Sequence, residues 1–158
     1  MEESFSSSLD RIDINILRIL QAEGRLTNAE LAGRVNVSAA TCHRRTQRLF
    51  DKGYITRVRA EVAPSAVGLG ALVMVGVVLD RSTLESFAAF EEAVTEMKDV
   101  LDCHLVAGDF DYLLKIRVRD VADFNKLHGQ KLIALPGVRQ TRTFFVMKEV
   151  KENALLPF

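Results

Sequence analysis

Between Leu31 and Tyr54 the chain reads LAGRVNVSAATCHRRTQRLFDKGY, and no other stretch restricts the fold as strongly. A short helix leads to a turn around Val35–Val37, and Ser38, a good N-cap, opens a longer second helix. Helical spacing puts Cys42, Thr46 and Leu49 inward, leaving Ala39, Ala40, His43, Arg44, Gln47 and Arg48 to point outward. Lys52-Gly53 ends this helix. Two short helices, a tight turn and a basic second member describe a helix-turn-helix, whose second helix enters the DNA major groove.

The flanks extend the pattern. Asp10 is placed to cap an earlier helix in which Ile12, Ile16, Ile19 and Leu20 recur at helical spacing, widened by Leu17. Glu23-Gly24 stops it, with Gly24 suited to a left-handed cap, and Thr27 with Glu30 forms a capping box for the next helix, from Asn28 to about Arg34. After Tyr54-Ile55, residues Thr56 to Val62 alternate as a short strand or wing. Over the whole chain the formal net charge is zero. From Arg34 to Arg59, however, seven basic residues (Arg34, Arg44, Arg45, Arg48, Lys52, Arg57 and Arg59) face one acid, Asp51. A local basic stripe on a neutral chain is the electrostatic footprint expected of a DNA-binding element.

Pro64 to Gly70 is small and Gly/Pro-bearing, the composition of a linker, and the rhythm changes after it. Ala71–Leu79 reads as a β-branched strand, Thr83–Met97 as an amphipathic helix, and Val100–Ala107 and Tyr112–Arg119 as strands joined by Gly108-Asp109-Phe110-Asp111. Val121–Leu135 follows as a helix stopped by Pro136-Gly137, and Val138–Met147 is the last strand. Strand, helix, strand, strand, helix, strand is the ferredoxin-like order. The fold class is therefore α+β, an N-terminal winged helix-turn-helix with a C-terminal ferredoxin-like βαββαβ domain. The expected divisions are 1–8 as a disordered lead-in, 9–63 as the DNA-binding domain, 64–70 as linker, 71–151 as the second domain and 152–158 as a tail. One sheet with helices on a single face leaves its other face for another subunit to cover.

Catalytic chemistry finds no footing in these residues. His43, His104 and His128 are scattered, with no Cys or carboxylate at catalytic or metal-binding spacing, and read as structural or surface residues. No Gly-rich phosphate loop and no Ser elbow occurs. Cys42 and Cys103 read as buried reduced thiols of a cytosolic protein. No apolar run reaches membrane-spanning length, and MEESFSSSLD lacks the basic start and apolar core of a signal peptide. We expect no enzyme, no metal and no cofactor.

With both halves in place, the chain resembles the Lrp/AsnC ("feast–famine") family of prokaryotic transcription regulators over about residues 9 to 151. The resemblance rests on LDRIDINILRILQAEGR, on ELAGRVNVSAATCHRRTQRL followed by GYI, on CHLVAGDFDYLLKIRV and on LPGVRQTRTFFVMKEVK. It implies a cytoplasmic, nucleoid-associated regulator of amino-acid metabolism or transport. It also implies homodimers that assemble into tetramers or octamers on a roughly palindromic DNA site. An amino-acid effector, leucine or another, would bind between dimers. The expected DNA contacts are Ser38, Ala39, Ala40, Thr41, His43, Arg44, Arg45, Gln47, Arg48 and Arg57. The expected effector contacts are Gly108, Asp109, Phe110, Asp111 and Tyr112, with Thr141 and Thr143. A zwitterion needs a carboxylate for its ammonium, and Asp111 is favoured over Asp109 because the strand beginning at Tyr112 fixes its backbone. For these same residues the plainer reading is a hairpin turn and ordinary strand formers. The alternative function is an amino-acid-sensing regulatory subunit of an enzyme, without DNA. RNA binding by the sheet is disfavoured, since the consecutive Phe144 and Phe145 point to opposite faces.

Overall fold

The computed structural model describes residues 9–158, so the expected lead-in lies outside the described residues. Helix α1 (Arg11–Ala22) starts where Asp10 Oδ1 accepts the amides of Ile12 and Asp13, both at 2.9 Å, while Asp13 Oδ2 accepts the Asp10 amide at 3.2 Å. Thr27 and Glu30 cap α2 (Asn28–Val35) reciprocally, as their spacing predicts. Asn36 turns the chain in the left-handed conformation (φ 55°), which Asn tolerates better than most residues, and Ser38 Oγ accepts the Thr41 amide to open α3 (Ala39–Asp51). Ile16, Leu31, Ala32, Val35, Cys42 and Leu49 form the buried centre of this three-helix unit, with Ile12, Leu17, Ile19, Leu20, Val37, Tyr54 and Ile55 packed around them. Each large aliphatic side chain fully buried there contributes roughly 1.5–3 kcal/mol.

Two local expectations fail here. Gly24 does not take a left-handed φ; instead Val58 Cγ1 lies 3.0 Å from where its Cβ would stand, so the residue's smallness serves a close approach. Residues 56–63 form no strand: they are irregular and exposed, and pair with no strand of the sheet.

By compactness the described residues fall into two units, one ending at Glu61 but rejoined by Lys151–Phe158, the other Val62–Val150. The expected tail is thus part of the helical unit. Gln21 brackets the main chain of Leu156, donating to its carbonyl at 3.0 Å and accepting its amide at 3.1 Å. Arg18 Nε donates to the Phe158 carbonyl at 2.6 Å with its guanidinium over that ring, and Asn153 donates to Glu61 at 2.5 Å.

The second unit opens with a 3₁₀ turn, Pro64–Val67, closed by Gly68 at φ 78°, where the sequence reads as linker. Strands β1 (Ala71–Leu79), β2 (Val100–Leu105), β3 (Tyr112–Val118) and β4 (Val138–Phe145) form one antiparallel sheet in the order β2-β3-β1-β4. Helices α4 (Leu84–Thr95, capped by Thr83) and α5 (Val121–Gln130, capped by Asp120) lie on one face. Their Phe90, Val94, Phe124 and Leu127 close over Val73, Val75, Val77, Tyr112, Leu114 and Ile116. The expected ferredoxin-like order is present. Helix α5 is shorter than expected, ending at Gln130; a 3₁₀ turn at Leu132–Ala134 then carries Leu132 and Leu135 into the core. Alternation sends Leu72, Met74, Leu113, Lys115, Arg142 and Phe144 to the opposite face, where Phe144 stays 49% exposed. Each unit holds one thiol, Cys42 in the helical core and Cys103 against the sheet's core.

Candidate functional site

On α3, Ser38, Ala39, Ala40, His43, Arg44 and Gln47 are exposed, while Thr41 is half-buried and accepts a hydrogen bond from Ser38 Oγ at 2.9 Å. Gln47 leans toward the helix end, its amide donating to Asp51 at 2.8 Å. Thr46 faces inward as expected, and its Oγ1 is buried without a hydrogen-bond partner among the described residues. The basic stripe resolves into two groups. Arg34 is paired with Glu23 at 2.6 Å, and Arg45 and Arg48 are paired with acids of α1. Arg44, Lys52, Arg57 and Arg59 are exposed, and their side chains make no ion pair or hydrogen bond among the described residues.

Arg48, expected to point outward, and Arg45, expected among the DNA contacts, are both tied to α1, although the Arg48 side chain stays 40% exposed. Arg45 Nη1 reaches Asp10 Oδ2 at 2.6 Å and Asp13 Oδ1 at 2.9 Å, leaving its side chain 19% exposed. Arg48 Nη2 donates to Asp13 Oδ2. Spaced three apart, the two line one flank of α3, and that flank meets α1. The amide of Asp13 and the Arg45 guanidinium hold the Asp10 carboxyl below its usual range, and the same acids hold Arg45 above its own. Sequence reasoning missed Asp13. An Asp at the third position of a helix reads as a capping residue, and its second role is visible only once α3 is packed against it.

In the second unit the seven expected effector residues do not converge on one point. Gly108 has φ 154°, a backbone that L side chains rarely adopt, and Asp109 is exposed with no partner among the described residues. Phe110 lies on the open face of the sheet: a Cβ on Gly76 would stand 2.6 Å from its ring. The ring also meets Phe144 edge-on at 6.2 Å and carries the Arg142 guanidinium at 5.8 Å. Asp111 is a staple, its Oδ2 accepting the Leu79 amide at 2.8 Å, its amide donating to Val77 and its carbonyl accepting from Val106.

Tyr112 is corrected outright as an effector contact. It is 1% exposed, stacked 4.5 Å from Phe90, and its hydroxyl donates to Glu91 at 2.6 Å. Burial, then the Glu91 carboxylate, push that phenol's pKa up. Thr141 and Thr143 share a face as expected, but that face is the helix-covered one, opposite Phe110: they stand across from Val77 and Val75, and Thr141 Oγ1 is hydrogen-bonded to His128 Nε2 at 2.8 Å. The open-face group of Phe110, Arg142 and Phe144 was missed. Gly76, a lone Gly inside a β-branched strand, is the signal that marks such a close approach.

Residues 9–56 match the winged helix-turn-helix DNA-binding family, and residues 72–156 match the Lrp/AsnC ligand binding domain. The leucine-responsive regulatory protein of Klebsiella pneumoniae is 46% identical over 145 residues, 92% of this chain and 88% of that protein. A transcriptional regulator from Neisseria meningitidis, solved as its complex with L-Met, superposes with a TM-score of 0.89 at 35% identity, covering 95% of this chain and 97% of that one. An AsnC family transcriptional regulator from Agrobacterium tumefaciens gives 0.88 at 34% identity, covering 94% and 97%. A regulatory subunit that never touches DNA would leave the match over residues 9–56 without a purpose. Among the described residues no helix is long and apolar enough to cross a membrane.

Proposed function

The chain belongs to the Lrp/AsnC family of DNA-binding, effector-modulated transcription regulators, and from that premise we propose how its own residues divide the work. Helix α3 reads base edges through His43, Arg44 and Gln47, while Lys52, Arg57 and Arg59 neutralise phosphates on either side. Two copies pair through the open face of the sheet, where Leu72, Met74, Leu113 and Phe144 supply apolar surface, so two recognition helices meet a roughly palindromic site with half-sites about one helical turn apart. The effector is an amino acid, held between dimers at the Gly108–Asp111 turn, and its operons serve amino-acid metabolism or transport.

The observation that carries the effector reading is the free carboxylate of Asp109 beside a Gly108 backbone open to close approach. An ammonium takes the carboxylate, and main-chain N–H groups at the turn take the ligand's carboxylate. Asp109 replaces Asp111 as the principal acid, because one Asp111 oxygen already serves Leu79. The L-Met complex of the Neisseria relative supports an amino acid as the ligand class.

Thermal-shift titration with the twenty amino acids, with sedimentation alongside, tests this. At least one amino acid should raise the unfolding midpoint and change assembly size; a flat response across all twenty would remove the amino-acid reading. For DNA, Arg44→Ala should weaken a specific site by about 1–3 kcal/mol while affecting unrelated duplex much less. An unchanged footprint and salt slope in that variant would take Arg44 out of the reading face.

A further inference from the structure

Asp13 is the one charged residue fully buried among the described residues. A buried carboxylate persists only when it is paired and its lone pairs are used, and here every partner has a purpose. One oxygen accepts from Arg45; the other accepts from Arg48 and from the Asp10 amide. Asp10 completes the group by holding Arg45 from the other side. Two acids from the start of α1 thus meet two guanidiniums from the middle of α3, and the four charges sum to zero.

We infer that Asp13 is the positioning residue of DNA recognition: by fixing Arg45 and Arg48 it sets which face of α3 meets base edges. It also withholds two guanidiniums from indiscriminate phosphate contact. This rests on α3 being the reading helix. Apolar packing alone would let α3 settle over a range of rotations about its axis, because Cys42 and Leu49 are compact and rounded. Two guanidiniums three residues apart, each donating through one nitrogen to a different oxygen of one carboxylate, narrow that range. The rotation they set leaves His43, Arg44 and Gln47 exposed to solvent. A neutral or apolar pair could join the helices as firmly; what an ion cluster centred on the buried Asp13 adds is orientation. It adds selectivity through charge as well. If Arg45 and Arg48 were free, each could neutralise a phosphate of any sequence, raising binding to unrelated DNA and narrowing the margin of the specific site.

The full chain is used for the test. A preferred duplex is selected by the wild-type protein from a random-sequence library. Affinities for that duplex and for an unrelated one are then measured against salt for wild type, Asp13→Asn and Arg48→Lys, below each unfolding midpoint. Asp13→Asn should lower the specific-to-unrelated ratio about tenfold or more. Affinity for unrelated DNA should hold or rise, and the log–log salt slope should steepen by about 0.9 per phosphate newly engaged. Arg48→Lys keeps the charge but loses the planar guanidinium whose Nη2 reaches Asp13 Oδ2, and should lower the ratio in the same direction. A ratio unchanged in folded Asp13→Asn overturns the inference, and so does a parallel fall in both affinities, which would make Asp13 a scaffold residue only. Should Asp13→Asn fail to fold by circular dichroism, Arg48→Lys decides on the same two outcomes. A wild-type protein that selects no sequence would sink the reading role of α3 itself, a failure visible before any variant is made.

Discussion

At Asp111 a carboxylate oxygen is committed to the amide of Leu79, which is 4% exposed, and the residue's own main chain ties the β2–β3 connection to the end of β1. Two residues earlier, Asp109 faces water with nothing to hold. The same side chain therefore has opposite predicted consequences at the two positions. Asp111→Ala leaves a buried N–H without an acceptor, and urea unfolding should register a loss of about 1–3 kcal/mol. Asp109→Ala should stay within roughly 0.5 kcal/mol of wild type while abolishing the calorimetric heat of effector binding. Wild-type effector affinity in Asp109→Ala would exclude that residue from the site; wild-type stability in Asp111→Ala would show that the Leu79 bond contributes nothing.

Elements differ in how openly they announce themselves in a sequence. The caps at Asp10, Thr27 and Ser38 were legible because each is settled within three residues of its helix start. The alternation of Val73, Val75 and Val77 likewise places β1 without any knowledge of its neighbours. What could not be read depends on pairs far apart in the chain. Arg45 looks like any exposed basic residue until Asp13, 32 positions earlier, is brought beneath it. Tyr112 adjoins the turn in the sequence and was expected to share its effector role, yet strand register against Val77 turns it into the core. Thr141 and Phe110 seem equally available until the sheet separates them onto two faces. Strand β1 also carries a test of its own at Gly76, where the Phe110 ring fills the space a Cβ would take. Gly76→Ala must push that ring, stem included, off the sheet, and overpacking of this kind costs about 1–3 kcal/mol. Equilibrium unfolding should show that loss, and the Gly76→Ala/Phe110→Ala double variant should show a smaller one than the two single losses added together. Strict additivity would mean that ring and glycine are not in contact.

For the molecule as a whole, acid should act at helix starts in both units, since Glu85 and Asp123 in the second unit also stand below their ordinary pKa values, Asp123 through Arg119. Asp10 is held below its ordinary pKa by the Asp13 amide and Arg45, Glu23 by Arg34, and Glu30 by the Thr27 amide and hydroxyl. Groups with lowered folded pKa values contribute stability above their unfolded values, near pH 4, and lose it as pH falls through the folded ones. Two of the three belong to helix N-caps, so far-UV circular dichroism should report a falling unfolding midpoint from about pH 5 downward, with helical signal lost early. A midpoint that stays level across that range would show that these exposed contacts are too well screened to matter.

The distribution of sulfur has a practical consequence. Cys42 is fully buried among the helices, and Cys103 sits half-buried on β2, its thiol raised to about 11 by burial and the Glu91 charge. A thiol reacts as thiolate and only when reached, so neither should be alkylated quickly in the native state. With one cysteine per unit, peptide mapping after timed alkylation becomes a clock for each half separately, read on the unmodified protein. DNA should slow the Cys42 clock and an effector the Cys103 clock. If either ligand also slows the clock of the half it does not touch, the size of that slowing measures the free energy by which one half informs the other.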